Sequence, residues 1–419
     1  MRVMHLSLSD FRNYRSAEVA FSPGLNLIIG RNGQGKTNLV EAIGYFAALR
    51  SHRVANDAAM IRADTDTAVA RMRVAVNDRE ASLEIELNRS GPNRAQVNRN
   101  QVRPRELMRW FSTVLFAPED LMIARGEPSL RRRFLDDAIV ARNPAMISVL
   151  SDYERVVRQR TSLLKSARAS GVRSALDATL DIWDRQLVAL GSRIMFERRA
   201  LVTRLLHPLS EGYGRLIDQD HAPGLSLVET VKSADHDVSR ETTEDPSPHG
   251  ASASVSRETI ESDFRAALGV VRQQELERGS TLVGPHRDDL SFALNGLPVK
   301  GYASHGESWS FVLALRLALA ALLREESAAG DPVIILDDVF AELDDGRRQR
   351  LMAAVGDYEQ VIVTAAVEED VPTGPGWHIV RIARGAVVSD EDSGAGDVGA
   401  VNAGAADADT GDPDSGDGS

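Results

Sequence analysis

Leu25-Asn26-Leu27-Ile28-Ile29-Gly30-Arg31-Asn32-Gly33-Gln34-Gly35-Lys36-Thr37 is the stretch that decides the fold. Its first five residues form a short apolar run, as carried by a strand buried on both faces of a sheet. Gly30 to Thr37 is a complete G-x-x-x-x-G-K-T phosphate loop. Gly30, Gly33 and Gly35 let backbone N–H groups wrap phosphates, with Arg31, Asn32 and Gln34 filling the turn. Lys36 supplies positive charge at the β and γ positions of ATP, and Thr37 offers a hydroxyl to Mg2+. After Lys36, apolar Leu39, Val40, Ile43, Phe46 and Ala47 recur at helical spacing. The order strand, glycine-rich turn, helix predicts an α/β phosphate-loop ATPase core.

Such a loop needs a carboxylate at the end of another apolar strand. Val333-Ile334-Ile335-Leu336-Asp337-Asp338 supplies it, about 300 residues downstream. Asp337 is assigned to Mg2+, and Asp338 to orienting or deprotonating the attacking water. The bland alternative is a strand ending in two solvated acids. Asp338 is one methylene shorter than the Glu of many fast ATPases, which points to slow hydrolysis suited to a switch.

Outward from these motifs, Met4, Leu6 and Leu8 alternate with polar residues, and Ala17, Val19 and Phe21 do the same, predicting a hairpin. Residues 68–76, 81–87 and 95–102 are expected to form a small antiparallel sheet beside the nucleotide. Heptad-like apolar series over 146–167 and 176–201 predict two long helices, folded back at Ala169-Ser170-Gly171 into a short antiparallel arm. Arg160 and Glu197 are polar interruptions in its seam. An amphipathic helix is expected over 307–325, and strands over 333–336 and 360–364. The implied division is 1–140 for the N-terminal part of the ATPase head and 141–280 for a helical lobe, with a disordered insertion at about 233–257. The C-terminal part of the head then takes 281–389, followed by a disordered acidic tail at 390–419.

With 419 residues the chain exceeds the usual length of one compact core. It has no Cys, which excludes disulfides, thiolate metal sites and thiol nucleophiles. Residues 1–14 carry Asp10 and Arg12 and lack the apolar core of a signal peptide, so a cytoplasmic location is expected. The most apolar run, 311–323, is read as too short and, with Arg316, too charged to span a membrane. The net charge of −12 is concentrated in two places: nine acidic residues and no basic one in 389–419, and a net −4 in 233–258. Taking these from −12 leaves about +1 for an Arg-rich body, so nucleic acid stays open as a partner.

Ala303-Ser304-His305-Gly306-Glu307 opens the 307–325 helix. It is either a plain capping box or a signature motif, in which a Ser hydroxyl and Gly backbone meet the γ-phosphate held by a second subunit. The stretch after Asp338, Val339-Phe340-Ala341-Glu342-Leu343-Asp344, looks like the D-loop of ABC-type ATPases. Phosphate loop, Ser304 with Gly306, Asp337-Asp338 and D-loop, in this order, resemble the SMC-like branch of the ABC ATPases. Within it, four stretches look like the RecF family: Asp10-Phe11-Arg12-Asn13-Tyr14, Phe116-Ala117-Pro118-Glu119-Asp120-Leu121, Arg131-Arg132-Arg133-Phe134-Leu135-Asp136 and Gly284-Pro285-His286-Arg287-Asp288-Asp289.

The resemblance covers about residues 1–388. It implies a two-lobed protomer, an ATP-driven homodimer on duplex DNA near single-strand gaps, weak DNA-stimulated ATP hydrolysis, and cooperation with RecO and RecR in loading RecA during recombinational repair. It also implies Arg12 and Asn13 near the adenosine end of ATP, and Glu119 and Asp120 where transporters carry a Mg2+-contacting Gln. Thr364 stands in the region of the transporter His. Competing readings are the nucleotide-binding subunit of a membrane transporter, another SMC-like DNA ATPase, and a small-molecule kinase. For DNA the candidates are Arg94, Arg99, Arg103, Arg105 and Arg109, then Arg131, Arg132 and Arg133, with Arg50 and Arg53; any of them equally suits a solvated face. His286 with its neighbouring acids lacks metal-ligand spacing and is read as structural.

Overall fold

A computed structural model describes residues 1–77, 79–170, 177–217, 219, 221–232, 256–372, 374, 376–383 and 385–388. Gly171 of the expected break, residues 233–255 of the insertion expected at about 233–257, and the acidic tail expected at 390–419 lie outside these residues; Arg257 instead opens a helix capped by Ser256.

Two six-stranded sheets enclose the phosphate-loop helix. The first is mainly parallel, in the order β15-β14-β3-β13-β12-β8. It comprises β3 (Gly24–Ile29), β8 (Thr113–Phe116), β12 (Val333–Asp337), β13 (Gln360–Ala365), β14 (His378–Ala383) and β15 (Ala386–Val388). Every residue of β12 and β13 is buried, as the unbroken apolar runs require of parallel strands covered on both faces. The second is antiparallel, in the order β2-β1-β4-β5-β6-β7. It comprises β1 (Arg2–Phe11), β2 (Tyr14–Ala20), β4 (Thr67–Val76), β5 (Arg79–Asn88), β6 (Arg94–Val97) and β7 (Asn100–Val102). The expected hairpin and the expected small sheet are therefore one sheet, joined where β1 pairs β4. The single strand expected over 95–102 is two, because Asn98 and Arg99 take left-handed φ values of 50° and 66° in a tight turn.

Alternation along the parallel strands divides the interior into two cores. Val333, Ile335, Ile362 and Ile28 face the antiparallel sheet and pack with Leu39, Val40, Ile43 and Phe46 of α1 (Lys36–Ala48). Ile334, Leu336, Val361, Val363 and Leu27 face the other way, onto helices. Those helices are α2 (Leu121–Arg125), α3 (Pro128–Arg142), α4 (Met146–Ser170), α5 (Asp177–Leu216), α6 (Arg257–Arg278), α7 (Val299–Tyr302), α8 (His305–Glu326) and α9 (Asp345–Val355).

α8 differs from the expected amphipathic helix. Apart from Arg316, every residue from Ser308 to Ala320 is buried, so α8 is a central helix rather than a surface one. At 22 residues and a mean hydropathy of 1.4 it is also long and apolar enough to cross a membrane by length and composition, contrary to the sequence expectation for this region. In this fold, however, 78% of its apolar window is covered by the protein itself.

α4 and α5 run antiparallel, since Arg160 pairs with Asp184 while Gly191 abuts Tyr153. Arg160 is fully buried and donates to Asp184 at 2.6 Å, Glu275 of α6 at 2.6 Å and Thr281 at 3.1 Å. The second half of α5 lies along α8, with Gly212 against Ala314 and Leu317, so the helical pair is seated on the head. A three-stranded sheet, β11-β10-β9, joins β9 (Gly224–Val228) of the helical segment to β10 (Asp289–Leu294) and β11 (Leu297–Pro298).

Candidate nucleotide site

The phosphate loop leaves β3 at its centre in the sheet, where β13 and β14 pin it on either side. Three glycine positions tolerate no side chain. A Cβ at Gly30 would lie 2.5 Å from Ile382 O. At Gly35, φ is 116° and a Cβ would meet Tyr14 Oη at 2.6 Å. Gly33, with φ of 80°, is required by conformation alone. Lys36 Nζ donates to Gly30 O at 2.7 Å and to Asn32 Oδ1 at 3.4 Å, so the ammonium is held across the mouth of the loop.

Thr37 Oγ1 donates to Asp337 Oδ1 at 3.2 Å, joining groups 300 positions apart in the chain. Adjacent parallel strands bring them together: β12 carries Asp337 beside β13, which lies beside β3. Thr364 Oγ1 donates to the same oxygen at 2.7 Å and accepts the Asp338 N–H at 3.0 Å. Thr364 is thus a buried clamp on the two aspartates, not a polar group directed at a phosphate. A threonine hydroxyl and a carboxylate are the hard oxygen donors that suit Mg2+, so these residues fit the ion that the motif implies.

Asp338 sits at φ 56°, where the strand turns sharply, and is half-buried. Burial pushes its carboxyl above the ordinary range against the opposing pull of Lys36, and Asp337, Asp370 and Glu119 push the same way. A carboxyl so placed holds its proton more readily, as a water-orienting base requires. Of the two residues in the transporter-Gln region, only Glu119 is exposed toward the site. Asp120 is buried, accepts Ala117 N–H and is bound by Arg316 Nε at 3.1 Å and Nη2 at 2.5 Å. That engagement leaves Asp120 a structural anchor for α8 rather than a metal contact.

Arg12 and Asn13 occupy the β1–β2 turn against the loop. Asn13 Nδ2 donates to Gln34 O at 3.1 Å, and Asn13 Oδ1 accepts from Asn38 at 2.7 Å. Arg12 binds the fully buried Glu41 of α1 through Nε at 2.8 Å and Nη2 at 2.6 Å, and Ala59 O through Nη1 at 2.8 Å. Its guanidinium is therefore committed to bracing α1, while Asn13 touches the loop directly. Sequence reasoning misses Glu41, although a lone acid on the inner face of α1 is visible in the helical spacing.

Ser304 is exposed and caps α8. Its Oγ accepts Glu307 N–H at 3.2 Å, and its own N–H donates to Glu307 Oε2 at 2.8 Å. Hydrogen bonds from Ser304 hold the Glu307 carboxyl below its usual range. The capping box is real, and Ser304 makes no hydrogen bond to the phosphate loop of its own chain. Gly306 lies beside Arg347 of α9, whose N-cap is Asp344. Ser304 and His305, with the exposed Ala341, Glu342 and Asp344 of the D-loop stretch, thus form one ledge over buried Val339, Phe340 and Leu343.

The Arg candidates for DNA divide sharply. Arg131 is buried and bound by Asp289; Arg50 pairs with Asp137, Arg53 with Asn38, and Arg94 with Glu86. Arg132 donates to Asp288 O at 2.8 Å. Arg99, Arg103, Arg105, Arg109 and Arg133 are exposed and make no side-chain hydrogen bond or ion pair among the described residues. Arg131, Arg132 and Gly284-to-Asp289 form one polar knot, in which Tyr153 Oη meets His286 Nδ1 at 2.8 Å and Arg198 binds Asp136 and Pro285 O. No group of three metal-ligating side chains occurs among the described residues.

A phosphate loop at the centre of a mainly parallel sheet, tied to an acid from a strand 300 residues away and flanked by an antiparallel sheet and a capped signature helix, defines an ABC-type ATPase head of the SMC branch. Residues 2–382 match the family described as RecF/RecN/SMC N terminal domain. A DNA replication and repair protein RecF of Leifsonia xyli subsp. xyli is 56% identical over 388 residues, covering 93% of this chain and 99% of that protein. The chain belongs to the RecF family. Two solved structures of the recombination mediator protein RecF in the RecFOR pathway, one with ATPrS and one with ATP, superpose with TM-scores of 0.78 and 0.76 at 28% identity. They cover 92% of this chain and 97% and 98% of theirs.

Proposed function

We propose that this chain is an ATP-gated DNA-binding protein of replication and recombinational repair, in which ATP, sandwiched between two copies, closes a homodimer on duplex DNA. The observation that carries the reading is the Thr37–Asp337 hydrogen bond together with an exposed Ser304 that makes no bond to that loop. One protomer holds a complete phosphate and metal half-site, and its signature serine is free to reach a nucleotide held by another copy. Lys36 binds the β- and γ-phosphates, Thr37 and Asp337 hold Mg2+, Asn13 braces the loop near the adenosine, and Asp338 orients the attacking water. Ser304 and Gly306 meet the γ-phosphate of the partner copy. Hydrolysis at the short Asp338 is slow and serves as the release switch.

Arg99, Arg103, Arg105 and Arg109 supply phosphate contacts on DNA, because only unpaired guanidinium groups are free to displace counterions. Gapped DNA, RecO and RecR as partners, RecA loading, a role in the SOS response and a cytoplasmic location are the setting in which this clamp acts. Duplex binding by the full chain with ATP, with ADP and without nucleotide tests the reading. Tight binding with ATP alone is the expected result, and equal binding in all three states overturns it.

A further inference from the structure

We propose that His52 is a positioning residue of the nucleotide site, its imidazole sharing with Asp337 the hold on one water of the Mg2+ shell. The inference rests on the nucleotide-site reading above and extends it to a residue that none of the motifs contains.

His52 follows α1 in a segment that leaves it little freedom. Ser51 bonds Glu41 and accepts the backbone N–H groups of Arg53 at 2.9 Å and Val54 at 3.0 Å, fixing the chain on either side of His52. The imidazole is thereby turned inward. Its Nε2 is buried, has no hydrogen-bond partner among the described residues, and stands 3.8 Å from Asp337 Oδ2. A buried, unsatisfied ring nitrogen is unfavourable unless something fills the gap.

The two oxygens of Asp337 are used unequally. Oδ1 takes the hydroxyls of both Thr37 and Thr364, whereas among the described residues Oδ2 accepts no hydrogen bond and has His52 Nε2 nearby. A separation of 3.8 Å is too long for a direct hydrogen bond. It is short enough for one water to give a proton to each group. Mg2+ is bound with several of its waters retained, and each such water presents two protons that need acceptors. A carboxylate oxygen and an imidazole ring nitrogen are two such acceptors.

The test uses Mn2+ as a paramagnetic probe, titrated into the full chain with a non-hydrolysable ATP analogue and followed by electron paramagnetic resonance. His52→Phe keeps the ring but removes the acceptor, and His52→Leu serves as a second variant should Phe misfold. Either is expected to weaken Mn2+ binding about tenfold. Nucleotide binding in EDTA and the thermal unfolding midpoint should stay unchanged, which a merely structural role for His52 would not allow. His52→Gln, whose amide oxygen is an acceptor, should recover most of the metal affinity. Unchanged Mn2+ binding in the Phe and Leu variants overturns the proposal, as does a Gln variant no better than Leu. If Asp337→Asn also binds Mn2+ normally, the nucleotide-site reading itself fails.

Discussion

Thr364 gives its hydroxyl proton to Asp337 at 2.7 Å and takes the Asp338 N–H at 3.0 Å, so one side chain sets the position of both acidic residues. Thr364→Val keeps the shape, strips both bonds and leaves the Asp338 N–H without its partner. Steady-state phosphate release should fall about tenfold or more while ATP is still bound, and urea unfolding should show a loss of about 1–3 kcal/mol. Wild-type turnover in this variant would show that the clamp is dispensable.

Lys36→Met should weaken ATP binding, because it removes the ammonium that spans the loop mouth and that the proposed function places against the phosphates. Ser304→Arg, on the exposed ledge, should bind ATP normally yet remain monomeric. A nucleotide-binding titration separates the two defects, and an ATP-induced dimer of Ser304→Arg in analytical ultracentrifugation would refute the shared site.

Arg160→Met should destabilise the protein by about 3–5 kcal/mol, since it strands the fully buried Glu275 carboxylate. Adding Glu275→Gln should restore part of the loss. Chemical unfolding of the single and double variants measures both.

Burial lowers the His286 pKa from its ordinary 6.5 to about 4, with Arg287, Arg132 and Arg160 acting in the same direction against a hydrogen bond to the Thr281 carbonyl. The native state therefore refuses a proton that the unfolded chain accepts. The associated stability is complete above about pH 6.5 and is lost as pH falls toward 4. The loss should reach about 1–2 kcal/mol by about pH 5. His286→Gln should flatten that part of the profile in urea titrations at about pH 7 and pH 5; a slope equal to wild type would rule out His286 as its source.

Replacing Arg103, Arg105 and Arg109 with Gln should weaken DNA binding at every sequence and reduce the salt slope by about one for each phosphate left unneutralised. The same change at Arg131 should instead destabilise the fold, because it is locked to Asp289. A fluorescence anisotropy series across salt concentrations distinguishes the two.

Local spacing makes the phosphate loop, α1, β12 and the capping box readable from the chain, because each is defined by neighbours within a turn or a strand. Long-range pairing is not readable in this way. Nothing near Leu6 announces that β1 lies beside β4, so hairpin and small sheet read as separate. Arg160 reads as a flaw in a helical seam because Glu275 comes from a different helix. The buried character of α8 is signalled by the single charge between Ser308 and Leu323, but helical spacing alone points to one face. Thr364 takes its sequence reading from the histidine it replaces, although a hydroxyl at that register bonds the neighbouring strand. His52 has no pattern around it, since its partner Asp337 lies far along the chain.

Because β3 is flanked on both sides by strands made much later, β13 and β14, the nascent polypeptide leaves the ribosome with its central strand unpaired at both edges. Both edges of the strand that leads into the phosphate loop are thus completed only by residues 360–383. The connectivity therefore couples the order of synthesis to the order in which the central strand gains its neighbours.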